Sequence, residues 1–170
     1  RHYPAIGWID SYSEYAEEVR GWWDKLDPRW AQIRLEALDL LKREQRLQQI
    51  VRLIGPDALP DSERLILVVS EMIKNGFLQQ NAFDDVDVYS VPEKQILILQ
   101  LMMNFYRKSL GIIKQGAPLL KVTSLPVREE IIRIKTSIPN DKLNEIKTIE
   151  IHLDEQMGTL ERVYRKVDTI

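Results

Sequence analysis

The sequence predicts an all-α protein, folded as one irregular bundle of about six helices. Three observations predict it. Apolar residues recur at steps of three and four along most of the 170 residues. Pro, Gly, Asp and Asn stand where such stretches begin and end. No alternating strand pattern of any length occurs. A hydrophobic fraction of 44% supplies one core for a chain of this length. There is no low-complexity segment, no internal repeat and no linker long enough to divide the bundle.

The elements follow in order. The stretch from Trp8 to Trp23 reads as helical, weakened by Gly7 and Gly21. Asp27-Pro28 reads as an N-cap followed by Pro at the first helical position. From there Trp30, Ile33, Leu35, Leu38, Leu41, Leu47, Ile50, Val51 and Ile54 mark one side of a long helix, which Gly55-Pro56 ends. Asp61 is expected to cap the next helix, through Leu65, Val68, Val69, Met72 and Ile73, with Asn75-Gly76 as its terminator. A loop from Gln79 to Ser90 carries Asp84, Asp85 and Asp87. Pro92 opens a helix to about Gln115 that is apolar nearly all round, from Ile96 through Leu101 and Met102 to Tyr106. Only Gln100, Asn104 and Lys108 make a narrow polar line. Such a helix belongs at the buried centre of a bundle. Gly116 and Pro118 break it. Ser124-Leu125-Pro126 starts a short helix with Glu129 and Glu130 in its first turns, where negative charge suits the helix dipole. Asn140 is expected to cap the last helix. Its seam, Leu143, Ile146, Ile149, Leu153, Met157, Leu160, Tyr164 and Val167, suits the bundle or a partner.

Composition excludes several chemistries. There is no cysteine, which removes disulfides, thiolate metal sites and Cys nucleophiles. Residues 1–106 hold 12 basic and 17 acidic side chains and residues 107–170 hold 12 and 9, so neither half has the positive field that nucleic acid requires. The longest uncharged stretch, from Gln95 to Tyr106, is too short to span a bilayer, and no direct membrane insertion is expected. None of the seven glycines is followed by Lys, so there is no phosphate-cradling loop. His2 and His152 lack a neighbouring ligand set and read as surface or hydrogen-bonded histidines. Asp84, Asp85 and Asp87 read as solvated turn acids, because a calcium loop needs a central Gly and here Val86 and Val88 interleave the acids. The residues alone describe a helical domain without a self-contained active site. A free-standing interaction module, docking a partner helix on the seam from Leu143 to Val167, is the alternative.

Five stretches add a resemblance. They are residues 1–6 (Arg-His-Tyr-Pro-Ala-Ile), 50–60 (Ile-Val-Arg-Leu-Ile-Gly-Pro-Asp-Ala-Leu-Pro), 77–87 (Phe-Leu-Gln-Gln-Asn-Ala-Phe-Asp-Asp-Val-Asp), 92–95 (Pro-Glu-Lys-Gln) and 125–131 (Leu-Pro-Val-Arg-Glu-Glu-Ile). In that order and spacing the chain resembles the C-terminal part of the catalytic A subunits of archaeal A-type and vacuolar-type rotary ATPases, over essentially its whole length. Gly7 departs from the Asn common in the family. The last helix carries no family motif.

The resemblance implies that residues 1–9 are the tail of an upstream nucleotide-binding domain and residues 10–170 the C-terminal helical bundle. The phosphate-binding loop, catalytic acid and Mg²⁺ ligand are then expected upstream, so this chain contains no catalytic or metal residue. ATP or ADP with Mg²⁺ would be bound by the intact complex, and no cofactor is expected on the fragment alone. Tyr3 and Phe83 match the aromatics that flank the adenine ring. Phe77 matches a second aromatic of the related F-type beta chain, and Gln80, Asn81 and Ala82 flank the ring position. The segment Asp57, Ala58, Leu59, Pro60, Asp61, Ser62, Glu63, Arg64 resembles, by position, the loop that bears on the central rotor shaft. Expected partners are the B subunit, the central stalk and the upstream domain. The expected location is peripheral, on the cytoplasmic side of the cell membrane.

Overall fold

The computed structural model describes Gly7, Ile9, Tyr15 and residues 17–165. Among them run seven α-helices and no strand: α1 (Arg20–Leu26), α2 (Trp30–Ile54), α3 (Asp61–Ile73), α4 (Pro92–Lys114), α5 (Leu119–Thr123), α6 (Pro126–Ser137) and α7 (Asn144–Tyr164). The all-α bundle holds. Tyr3, His2, Val167 and seven residues of the expected helix from Trp8 to Trp23 lie outside the described residues; α1 covers the end of that stretch and continues to Leu26.

α4 is the centre. It packs against α2, α3, α6 and α7, and Met102, Met103 and Phe105 have essentially no exposed surface. Each such side chain contributes about 1.5–3 kcal/mol on leaving water, so the helix apolar on nearly every side is the one enclosed on nearly every side. By length and composition α4 would also cross a membrane, but its enclosure by the other helices accounts for that character. α7 lays its seam on this centre. Ile146, Ile149, Leu153 and Met157 are buried against α4 and α6. From Leu143 to Tyr164 the seam is therefore occupied by the chain's own helices and is not free as the docking face of the free-standing module. α1 is tied on by stacked indoles: the Trp23 and Trp30 ring centroids are 4.8 Å apart.

Several sequence expectations are corrected. The buried stripe of α2 is Trp30, Ile33, Ala37, Leu40, Leu41, Glu44 and Leu47, whereas Leu35, Ile50 and Ile54 are exposed. Asn75-Gly76 does not end α3. The chain widens there into a π-helical turn (Lys74–Leu78) and passes close to α6: a Cβ on Gly76 would lie 2.6 Å from Met102 Cε and 3.2 Å from the Ile132 Cα. Gly is needed here for close approach. Asp61 and Asn140 do not cap the helices assigned to them, whereas Asp27, extended and with its carbonyl accepting the Trp30 N–H at 3.0 Å, does lead into α2 as expected. Asp27 closes a turn on the Arg29 N–H at 2.8 Å, and α2 starts at Trp30. The Arg29 guanidinium holds the Asp27 carboxyl below its usual value. Asp61 and Asn140 bond across the fold, as described below. α5 has no counterpart among the expected elements; five residues after Pro118 give too short a period to read.

Candidate functional site

The loop between the π turn and α4 carries Gln80, Asn81, Ala82 and Phe83, and hydrogen bonds of its own make it rigid. Its hub is Asp87, 3% exposed. Asp87 Oδ2 accepts the Asn81 N–H at 2.7 Å and lies 3.5 Å from Lys135 Nζ on α6. The Asp87 N–H donates to Asp84 Oδ1 at 2.8 Å, which also takes the Val86 N–H at 3.0 Å. The Gln80 amide donates to the Asp87 carbonyl at 2.7 Å and to that of Val88 at 3.2 Å. Asn81 Oδ1 accepts the Phe83 N–H at 3.0 Å. At the far end Asn140 accepts from the Val91 N–H at 3.2 Å and donates to the Tyr89 carbonyl at 2.9 Å. Asp84 and Asp87 are thus struts, and only Asp85 is the solvated turn acid expected of all three.

Two lysines hold the loop from below. Lys135 Nζ also donates to the Gln79 carbonyl. Lys94 has no exposed surface and donates to the Lys135 carbonyl at 3.0 Å. Burial pulls the Lys94 ammonium below the usual lysine value, and the charges of Asp87 and Asp84 oppose that pull. Sequence reasoning missed both. A signal existed for Lys94, which shares a helix face with Ile98, Leu101 and Phe105 and so must point inward.

On this frame Phe83 stands 97% exposed, with Val88 and Tyr89 exposed beside it. Phe77 is elsewhere: in the π turn, half-buried against the core, lining a cavity of about 270 Å³ with Trp30, Arg34, Leu38 and Leu99. Phe83 is not part of that cavity's wall. Tyr3 lies outside the described residues.

The segment of residues 57–64 is a second rigid connector at the end of α2. Gly55 adopts φ +85°, which favours glycine, and closes α2 on the Val51 carbonyl. Pro56–Ala58 form one 3-10 turn, Leu59 is buried, and Pro60 precedes α3. Arg64 faces both acids, 3.4 Å from Asp61 and 4.0 Å from Asp57. The Leu119 N–H donates to Asp61 Oδ2 at 2.8 Å, so Asp61 satisfies the N-terminus of α5. Ala58 is exposed and Ser62 and Glu63 half-exposed. Beside them Leu53 is 84% exposed, with Ile54 and Leu120 also exposed. Sequence reading assigned Ile54 to the core and missed this apolar rim.

Among the described residues no group of three His, Asp or Glu side chains is arranged to hold a metal ion. His152 is hydrogen-bonded, its Nδ1 2.8 Å from Glu130 on α6.

The fold is thus a helical bundle with two connectors, one presenting an aromatic and the other an apolar-rimmed turn. A family model described as the C-terminal domain of V and A type ATP synthase matches residues 20–123, spanning α1 to α5 and both connectors. The chain belongs to this family. It is 46% identical over 165 residues to the A subunit of the A-type ATP synthase from Pyrococcus abyssi, covering 96% of this chain and 16% of that protein. It is 41% identical over 167 residues to the corresponding A subunit from Thermococcus onnurineus, covering 98% and 28%. A V-type ATP synthase alpha chain from Halothermothrix orenii is 42% identical over 167 residues, again 98% and 28%. The chain therefore spans only 16–28% of the length of these relatives.

Proposed function

We propose that this chain is the rotor-facing C-terminal domain of a catalytic A subunit, residues 10–170, with residues 1–9 the tail of the upstream nucleotide-binding domain. The intact subunit interconverts ATP and water with ADP and phosphate and couples that to ion transport. Its phosphate and Mg²⁺ chemistry lies upstream. This domain supplies the adenine-side wall, with Phe83 and Tyr3 as ring faces and Gln80, Asn81 and Ala82 as their backbone surround. Phe77, which lines a separate cavity, is not assigned to that wall. The carrying observation is Phe83, 97% exposed on a loop rigid by its own hydrogen bonds. An exposed Phe gains nothing from its own fold, and a purine against its face would contribute about 1–3 kcal/mol.

The segment of residues 57–64 is the lever on the central stalk. Pro56, Pro60 and the buried Leu59 stiffen it, so a rotation of the bundle reaches the stalk as a push. With Asp57 and Asp61 facing Arg64, contact there falls as much to Leu53 and Ile54 as to charge. The B subunit, the central stalk and the upstream domain are the partners, in a peripheral head on the cytoplasmic side of the membrane.

The test is nucleotide binding in two settings. Isothermal titration of this chain alone is expected to show no tight, Mg²⁺-dependent ATP binding. In the intact complex Phe83→Ala is expected to weaken ATP binding about tenfold or more, the equivalent of about 1.4 kcal/mol. Tight binding by the isolated chain, or unchanged affinity in the Phe83→Ala complex, overturns the adenine-wall reading.

A further inference from the structure

The buried ionic centre under the loop takes no part in the adenine wall as described, yet it connects to it. Four groups form a chain of contacts from core to surface. Lys135 Nζ lies 3.5 Å from Asp87 Oδ2. The same oxygen accepts the Asn81 N–H at 2.7 Å, and Asn81 Oδ1 accepts the Phe83 N–H at 3.0 Å. Asp87 is buried and Lys135 nearly so, its side chain 16% exposed. Phe83, at the other end, has no core contact to fix it. Its backbone position is set by this chain and by the turn bonds around Asp84.

We infer that Asp87 and Lys135 are positioning residues for Phe83: acting through Asn81, they anchor the aromatic to α6 and set where it meets a purine. This rests on the adenine-wall reading. A buried carboxylate with a cation and a backbone N–H as partners is a costly device for a surface loop, since desolvating it outweighs what an ordinary turn requires. Its return is precision, because ring stacking falls away steeply once a face is displaced. α6 is also the helix against which Gly76 packs, at 3.2 Å from the Ile132 Cα for an added Cβ. One helix therefore braces both the turn of Phe77 and the loop of Phe83.

The experiment measures ATP hydrolysis by the intact complex carrying this chain, at temperatures well below its unfolding. The variants are Phe83→Ala, Asp87→Ala, Lys135→Met and Lys135→Arg. Asp87→Ala and Lys135→Met are expected to raise KM for ATP about threefold to tenfold, with the effect on KM rather than kcat, and Lys135→Arg to restore it. Where a buried substitution blocks assembly, Asn81→Ala cuts the last link at an exposed side chain. It is expected to raise KM likewise, with Asn81→Asp, which keeps an acceptor for the Phe83 N–H, restoring it. If Phe83→Ala raises KM while the anchoring variants keep it at the parent value, or lower only kcat, the positioning role is overturned and the adenine wall stands. If Phe83→Ala leaves KM unchanged, the adenine wall itself falls.

Discussion

Both interhelical connectors carry three acids over a short span, and they use them in opposite ways. In the loop of residues 79–91, Asp84 and Asp87 turn inward to take backbone N–H groups, and the exposed feature is a phenyl ring. In the segment of residues 57–64 the backbone is stiffened by the 3-10 turn that opens at Pro56 and by Pro60. Two of its acids, Asp57 and Asp61, lie within 4.0 Å of Arg64, and Glu63 is half-exposed. The first connector has no repeating backbone bonds, so side-chain carboxylates must satisfy its N–H groups. The second is a helix end followed by a helix start, and its backbone is nearly complete without them. Acid content alone says nothing of exposure or charge display; the number of orphan backbone donors nearby decides it.

Removing the inward acid of the loop has the largest expected effect. Asp87→Ala leaves Lys135 without its counter-charge and the Asn81 N–H without an acceptor. A loss of about 2–4 kcal/mol is expected, as for other broken buried ion pairs, read by urea denaturation of the domain. A loss under about 1 kcal/mol would mean the loop holds without its hub, and the contrast between the connectors would collapse.

Asp61 is the exception inside the outward group, and it sharpens the rule. It accepts the Leu119 N–H at 2.8 Å, an orphan donor at the start of α5. Asp61→Ala is expected to cost about 1 kcal/mol, the usual worth of such a cap, in the same denaturation measurement. Asp61→Asn, which keeps an acceptor, is expected to recover most of it. Equal losses for both would assign the effect to the ion pair with Arg64 instead.

The same distinction explains what was legible in the sequence. Fold class, the span of α4 and the seam of α7 follow from periodicity, which one chain displays directly. Phe83 and residues 57–64 are singled out only by the resemblance to a family, not by periodicity. What could not be read were the bonds across the fold: Asp61 to Leu119, Asn140 to Val91 and Tyr89, and Lys135 to Asp87. Each joins residues far apart in the chain, and a local reading competes with each of them, a cap at Asp61 and Asn140 and a solvated turn acid at Asp87. Ile54 failed for another reason. Its helical spacing is sound, yet it is 63% exposed, and periodicity carries no information on which apolar positions a partner covers.

The smallest expected effect belongs to Arg64, and it bears hardest on the comparison. Arg64 is the sole cation among residues 57–64, yet its side chain is 39% exposed and its partner Asp57 95% exposed. Exposed pairs of this kind contribute about 0–1 kcal/mol and are screened by salt. The 3-10 turn, the Gly55 cap and the buried Leu59 do not depend on it. Arg64→Ala is therefore expected to change stability by under about 0.5 kcal/mol, with urea midpoints of parent and variant converging further as salt is raised. A loss above about 1.5 kcal/mol that persists in high salt would show that the charges, not the backbone, stiffen this turn. The two connectors would then be built alike.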